Sequence, residues 1–356
     1  MNPILTAGIL FGLGAAVFQA ASYIFSRRFM TECHSDPMCL FALSHAVMGV
    51  AALTAFPVLL RGSLPAFSHW AWPLAGTAGS YMIGQFLLFT ALRTRDSSMI
   101  APLLGFKIPI LALTSLLLLE RGITPWGWVG IAGCVTAGLI ISPPAGLPGI
   151  GTLLLVGLAC LGYCGSDLCI PVLVRRLGDA SPHPALLGVS VTYTVCGVVS
   201  LPILFRKGLH RDCRAWRYAV PHAVAWLGGM CFLFSCFALI GPVSGNMLQA
   251  TRGIFAVVFG ATLTRLGLLH LDNVSKRAVL AQRLGGALLM TASIVVYLRA
   301  ESPGDAGNGP RRVRNDRSAR NQMPRYSSVD RASEASLTSG QNSDHPGTSP
   351  EKRRSK

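Results

Sequence analysis

Ten apolar stretches, each of about twenty residues, follow one another between residues 4 and 298. Short segments that hold most of the body's charges separate them. At 1.5 Å of rise per residue, a helix of that length crosses the hydrocarbon of a bilayer. In lipid every backbone N–H and C=O must be satisfied within the spanning segment, which leaves such a chain few folds. Windows between charges and turn residues place helices at 4–26, 38–60, 70–92, 98–119, 125–142, 150–171, 184–205, 219–240, 243–264 and 279–298. The expected fold is therefore an all-α polytopic membrane protein with ten transmembrane helices. Composition agrees: 13% of residues are charged, against about 25% in soluble domains.

Residues 301–356 differ from the body. They are rich in Ser, Arg, Asn, Gly and Pro and poor in aliphatic side chains, so they are expected to form a disordered basic tail. Ser328 and Ser333, in "RYSSVDRAS", lie beside basic residues and suit phosphorylation. The net charge of +16 comes from loops and tail, without interleaved aromatics or a binding module, so no nucleic-acid partner is expected. The ten cysteines include no CxxC pair; in lipid they read as small apolar residues, and neither a metal nor a cofactor is expected.

The body repeats itself. "FPVLLRG" (Phe56–Gly62) recurs as "LPILFRKG" (Leu201–Gly208), and "FLLFTAL" (Phe86–Leu92) as "FLFSCFAL" (Phe232–Leu239). "SRRFM" (Ser26–Met30) is echoed by "VRRLG" (Val174–Gly178), and "VGIAGCVTAGLII" (Val129–Ile141) by "LGGALLMTASIVV" (Leu284–Val296). Two repeats are expected, at 1–145 and 146–300. Five helices per repeat is an odd number, so the second must lie inverted relative to the first.

The fourth-helix ending "LLLLER", followed by "GWVGIAGCVTAGLII", resembles the EamA-type members of the drug/metabolite transporter superfamily. The resemblance implies ten helices in two five-helix repeats, both termini in the cytoplasm and residence in the plasma (inner) membrane. The sequence departs from the pattern in "RLGLLHLDN" (Arg265–Asn273), where the repeat would place a Glu matching Glu120. Loop charges pull against the implied orientation. Arg27, Arg28, Arg93, Arg95, Arg206, Lys207, Arg211, Arg214, Arg217, Lys276 and Arg277 would lie outside, with Arg61, Arg121, Arg175 and Arg176 inside.

Charged residues within the apolar stretches single out a site. Lys107 lies in the fourth stretch and Arg252 in the ninth, its repeat partner. A cation at mid-membrane costs about 2.5–3.5 kcal/mol on insertion scales and marks a functional site by default. Asp167, in the sixth stretch, is the other ionisable residue well inside a span, and it aligns with Gln19 in the first. Asn246, Gln249 and Arg252 form a polar stripe, and Tyr81 and Gln85 share a face of the third helix. One carboxylate against two cations leaves positive charge for an anionic or zwitterionic ligand. Lys107, Arg252, Gln249, Asn246, Gln85, Tyr81 and Gln19 are the expected substrate-binding residues, with Asp167 balancing charge or carrying a coupling proton. The competing reading pairs Lys107 with Asp167 as a structural salt bridge and leaves Arg252 to backbone carbonyls. His45 and Tyr193 are read as packing residues.

The function expected is secondary transport of a small organic metabolite by alternating access, in a monomer or homodimer surrounded by lipid. No Walker motif points to ATP-driven transport. The histidines are scattered in and beside loops, which argues against an enzyme with a clustered catalytic centre. The alternative is a non-transporting receptor or scaffold that signals through the tail.

Overall fold

Helices account for nearly all of what a computed structural model describes: residues 3–33, 36–60, 62–94, 103–119, 123–141, 149–206, 212–265 and 277–300. These residues lie within one compact unit, Met1–Gly307. The expected tail, with Ser328 and Ser333, lies outside the described residues, as does Glu120. The helices are α1 (Pro3–Cys33), α2 (Pro37–Leu59), α3 (Phe67–Thr94), α4 (Lys107–Leu119), α5 (Pro125–Ile141), α6 (Ile150–Leu177), α7 (Pro182–Arg206), α8 (Cys213–Ile240), α9 (Pro242–Ala250), α10 (Arg252–Arg265) and α11 (Arg277–Ala300). A 3₁₀ turn, Leu103–Phe106, precedes α4.

Five of the described helices, α1, α2, α6, α7 and α8, are long and apolar enough to cross a membrane. Several run further than the charge boundaries predict. α1 continues past Arg27 and Arg28 to Cys33, and α6 past Arg175 and Arg176 to Leu177, because a charge at the interface does not interrupt helical hydrogen bonding. α8 begins six residues before its expected start, where the Asp212 carboxylate accepts the Ala215 N–H at 3.0 Å. Asp36 caps α2 in the same way through Met38 N–H, also at 3.0 Å. Two expected helices are not continuous. Of the fourth, residues 98–102 lie outside the described residues, Leu103–Phe106 forms the 3₁₀ turn and the α-helix begins at Lys107; the ninth breaks at Thr251 into α9 and α10.

The helices pack as antiparallel pairs: α1 on α8, α3 on α6, α2 on α7 and α5 on α11. Small residues set the crossings. A Cβ on Gly49 of α2 would lie 2.7 Å from the Gly197 Cα of α7, and one on Gly162 of α6 would lie 2.9 Å from the Gly84 Cα of α3. Backbones that close gain dispersion contact and weak Cα–H···O bonds, which matter where lipid supplies no hydrophobic drive. The outward faces remain apolar: Val58, Leu288, Ile150, Leu10 and Val50 are exposed, a composition that lipid and not water tolerates. Charges collect at helix ends, where Arg93 meets Asp36 at 3.2 Å and Arg214 meets Glu32 at 3.7 Å. The chain is an integral membrane protein.

Candidate functional site

Lys107 is the first residue of α4. Its ammonium lies 2.7 Å from Asp167 Oδ2 on α6, with both side chains largely buried. The same carboxylate oxygen accepts from Asn246 Nδ2 on α9 at 2.7 Å, and Asn246 also donates to the Pro242 carbonyl at 2.9 Å. The Cys164 thiol donates to the Lys107 carbonyl at 3.5 Å, tying α4 to α6. The Tyr163 ring lies 5.4 Å from the ammonium, within reach of a cation–π contact. Lys107 and Asp167 thus form the ion pair that one of the two sequence readings expects.

Arg252 follows the break at Thr251, whose hydroxyl donates to the Leu248 carbonyl at 2.7 Å. Its partner is a side chain and not the backbone carbonyl of the competing reading: Nη1 donates to Gln19 Oε1 on α1 at 3.1 Å. Its guanidinium carbon lies 5.7 Å from the Tyr23 ring. The two cations occupy matched surroundings. Each opens a helix, each lies near a tyrosine ring, and each bonds a side chain of another long helix, α6 for Lys107 and α1 for Arg252. Lys107 meets the Asp167 carboxylate, whereas Arg252 meets the neutral Gln19 amide. Among the described residues no carboxylate forms an ion pair with Arg252.

A cavity of about 50 Å³ lies between the two cation sites and is bounded by side chains from α1, α3, α4, α6, α7, α8, α9 and α10. Of the expected site residues, Gln19, Tyr81, Lys107, Asp167, Gln249 and Arg252 line it. Asn246 and Gln85 do not; they stand behind residues that do. Tyr163 OH donates to Gln85 Oε1 at 2.9 Å, and Gln85 Nε2 donates to Tyr81 OH at 2.8 Å. His45 Nδ1 faces the Phe41 carbonyl at 2.7 Å, so that nitrogen carries the proton. In the neutral ring Nε2 then accepts from Tyr81 OH, at 3.2 Å. His45 therefore orients a wall residue in addition to packing.

Sequence reasoning missed part of the wall. Thr77, Thr192, Tyr193, Trp226, Met230 and Phe234 line the cavity as well. Thr77 was readable, since it precedes Tyr81 and Gln85 at four-residue spacing on α3. Trp226, Met230 and Phe234 also recur at four-residue spacing on α8, but in an apolar helix that spacing reads as core, and only packing joins them to Thr192 and Tyr193 of α7. Among the described residues no group of three His, Cys, Asp or Glu side chains gathers as a metal site would need.

Comparison with known proteins adds two findings. Residues 6–142 match the model of the EamA-like transporter family. A solved structure, titled only "Crystal structure of protein", superposes with a TM-score of 0.59 at 15% identity. It covers 83% of this chain and 99% of its own, a likeness of fold alone. No curated protein matches the chain.

Proposed function

We propose that this chain, whose residues 6–142 match the model of the EamA-like transporter family, is an EamA-type secondary transporter of a small anionic or zwitterionic metabolite. The observation that carries the proposal is Arg252, a buried-site cation on a cavity wall whose hydrogen-bond partner, Gln19, is neutral. An anion entering the cavity supplies the missing charge, and leaves it again on the other side.

The reading places ten spans in two inverted repeats, 1–145 and 146–300, that rock against one another. Helix pairing supports it. Exchanging the halves turns the α1–α8 pair into the α6–α3 pair and maps α2–α7 and α5–α11 each onto itself. Helix-interior prolines recur with the same register, Pro57 with Pro202 and Pro73 with Pro221. Interrupted helices at the middle of inverted repeats are where transporters of this plan bind substrate, and α4 and α9–α10 are the interrupted pair.

Asp167 is the coupling residue in this reading. Protonation removes its charge and releases the Lys107 ammonium, which then joins Arg252 in holding the anion. Proton and anion bind together and cross together. Both termini lie in the cytoplasm of the plasma (inner) membrane, and the transporting unit is a monomer or homodimer.

The test is thermal stabilisation of the purified chain by panels of anionic, zwitterionic and cationic metabolites, followed by uptake into proteoliposomes. A ligand at a hundred times its Kd stabilises the folded state by about 2.7 kcal/mol. Anions or zwitterions should stabilise the wild type and drive uptake that an inward proton gradient accelerates, while Arg252→Gln loses both. Stabilisation by cations alone, or an unchanged Arg252→Gln, would sink the proposal.

A further inference from the structure

The walls of the cavity also specify the rest of the ligand. This step rests on the reading of the cavity as the substrate site. Arginine has only donors, so Arg252 fixes the Gln19 amide with Oε1 toward the guanidinium. Gln19 Nε2 is then turned elsewhere, buried and without a partner. Arg252 and Gln19 together offer donors and no acceptor, the chemistry of a carboxylate seat.

The α3 and α7 parts of the wall carry a second anomaly. Thr31, Thr90, Thr136, Thr194, Thr262 and Thr291 each donate to the carbonyl four residues back, at 2.8–3.1 Å. That is the bond a helical threonine makes by default. Thr77 on α3 and Thr192 on α7 do not make it. Each is 1% exposed, each hydroxyl lacks a partner, and both line the cavity. Buried polar atoms left unpaired in this way mark a place where water or a ligand group arrives.

Beside these polar groups the wall is aromatic. Tyr81 and Tyr193 meet edge to face with ring centroids 5.6 Å apart, and Trp226 Nε1–H donates to Tyr193 OH at 3.1 Å. The Tyr81 hydroxyl is engaged by Gln85 and His45. With their polar ends taken, these rings have carbon surface to offer. The cavity as it stands has room for about three or four waters, so a ring enters only as the walls part.

We propose that the ligand is a small aromatic monocarboxylate, its carboxylate on Arg252 and Gln19, its ring against Tyr81, Tyr193 and Trp226, and one ring hydroxyl on Thr77 and Thr192. The test uses the full chain in detergent and calorimetric titration with acetate, benzoate, 4-hydroxybenzoate and 4-methylphenol. Benzoate should bind on the order of a hundredfold more tightly than acetate, and the 4-hydroxyl should add on the order of tenfold. The neutral phenol should not bind measurably. Thr77→Val/Thr192→Val should erase the hydroxyl preference, so that 4-hydroxybenzoate binds no more tightly than benzoate, whereas Arg252→Gln should lose all three acids. Acetate binding as well as benzoate, a hydroxyl preference that survives the double valine variant, or no binding by any of the acids would each overturn the assignment. Uptake of other anions by a chain that ignores the aromatic acids would leave transport standing and remove this inference. Binding of 4-hydroxybenzoate as described, without flux into proteoliposomes, would do the reverse.

Discussion

Charge at the site turns on one pair of matched positions, Asp167 and Gln19. Asp167 neutralises Lys107 at 2.7 Å, while Gln19 gives Arg252 a hydrogen bond and no charge. Gln19→Glu should therefore supply the missing carboxylate, and its measurable consequence is loss of anion-induced stabilisation with the fold retained. On the other side, Lys107→Met would leave Asp167 charged and unpaired in a buried place, at a cost of about 3–5 kcal/mol. Adding Asp167→Asn removes the stranded charge, and the double variant should recover most of that loss in a thermal or denaturant unfolding series. If the single and double variants are equally unstable, losing Lys107 does not strand a charge on Asp167. Asn246 contributes by holding Asp167 Oδ2 from α9, so Asn246→Leu should weaken proton dependence more than anion affinity.

At the scale of the helix, close backbone contact replaces the hydrophobic drive that water would supply. Gly49 and Gly197 leave no room for a side chain where α2 crosses α7. Gly197→Leu should push the helices apart and destabilise by about 1–3 kcal/mol or more, read as a lowered unfolding midpoint in detergent. Gly138, where nothing lies within contact of an added Cβ, is the control: Gly138→Ala should be neutral or slightly stabilising, since alanine favours helix by about 1 kcal/mol over glycine. The breaks in the fourth and ninth helices belong to this scale too. Thr251 turns its hydroxyl onto Leu248 and separates α9 from α10, so Arg252 sits at a helix start instead of inside a continuous ladder.

For the molecule as a whole, inversion of the repeats makes a topological prediction. Under the proposed arrangement, residues 62–66 after α2 face the cytoplasm and residues 207–211 after α7 face outward. Single cysteines introduced at Ser63 and His210, in a background with the exposed native Cys213 replaced, should label from opposite sides of the membrane. Labelling from the same side would rule out the inverted plan. The loop charges that favour the opposite orientation are partly answered locally: Arg93 pairs with Asp36, Arg214 with Glu32, and Arg28 lies 5.6 Å from the Tyr218 ring. Arginines engaged in this way make a smaller net contribution to the orienting field than their number implies.

The sequence alone determined that this chain is a bundle of apolar helices carrying two buried-site cations and one carboxylate, because hydrophobic length and intramembrane charge are local properties that no packing can hide. It also singled out Gln19, Lys107, Asp167 and Arg252, since charged and amide side chains stand out within apolar stretches. Helix ends were less legible: charges mark the interface, but hydrogen bonding and the caps at Asp36 and Asp212 decide where a helix stops. Only the tertiary structure decided which cation is neutralised, because an ion pair depends on distances of a few ångströms between α4, α6 and α9. It likewise gathered Thr77, Thr192, Tyr193 and Trp226 onto one wall. Thr192 and Tyr193 on α7 and Trp226 on α8 are distant in the chain from the α3 stripe of Thr77, Tyr81 and Gln85, and only tertiary packing brings the three helices to one cavity.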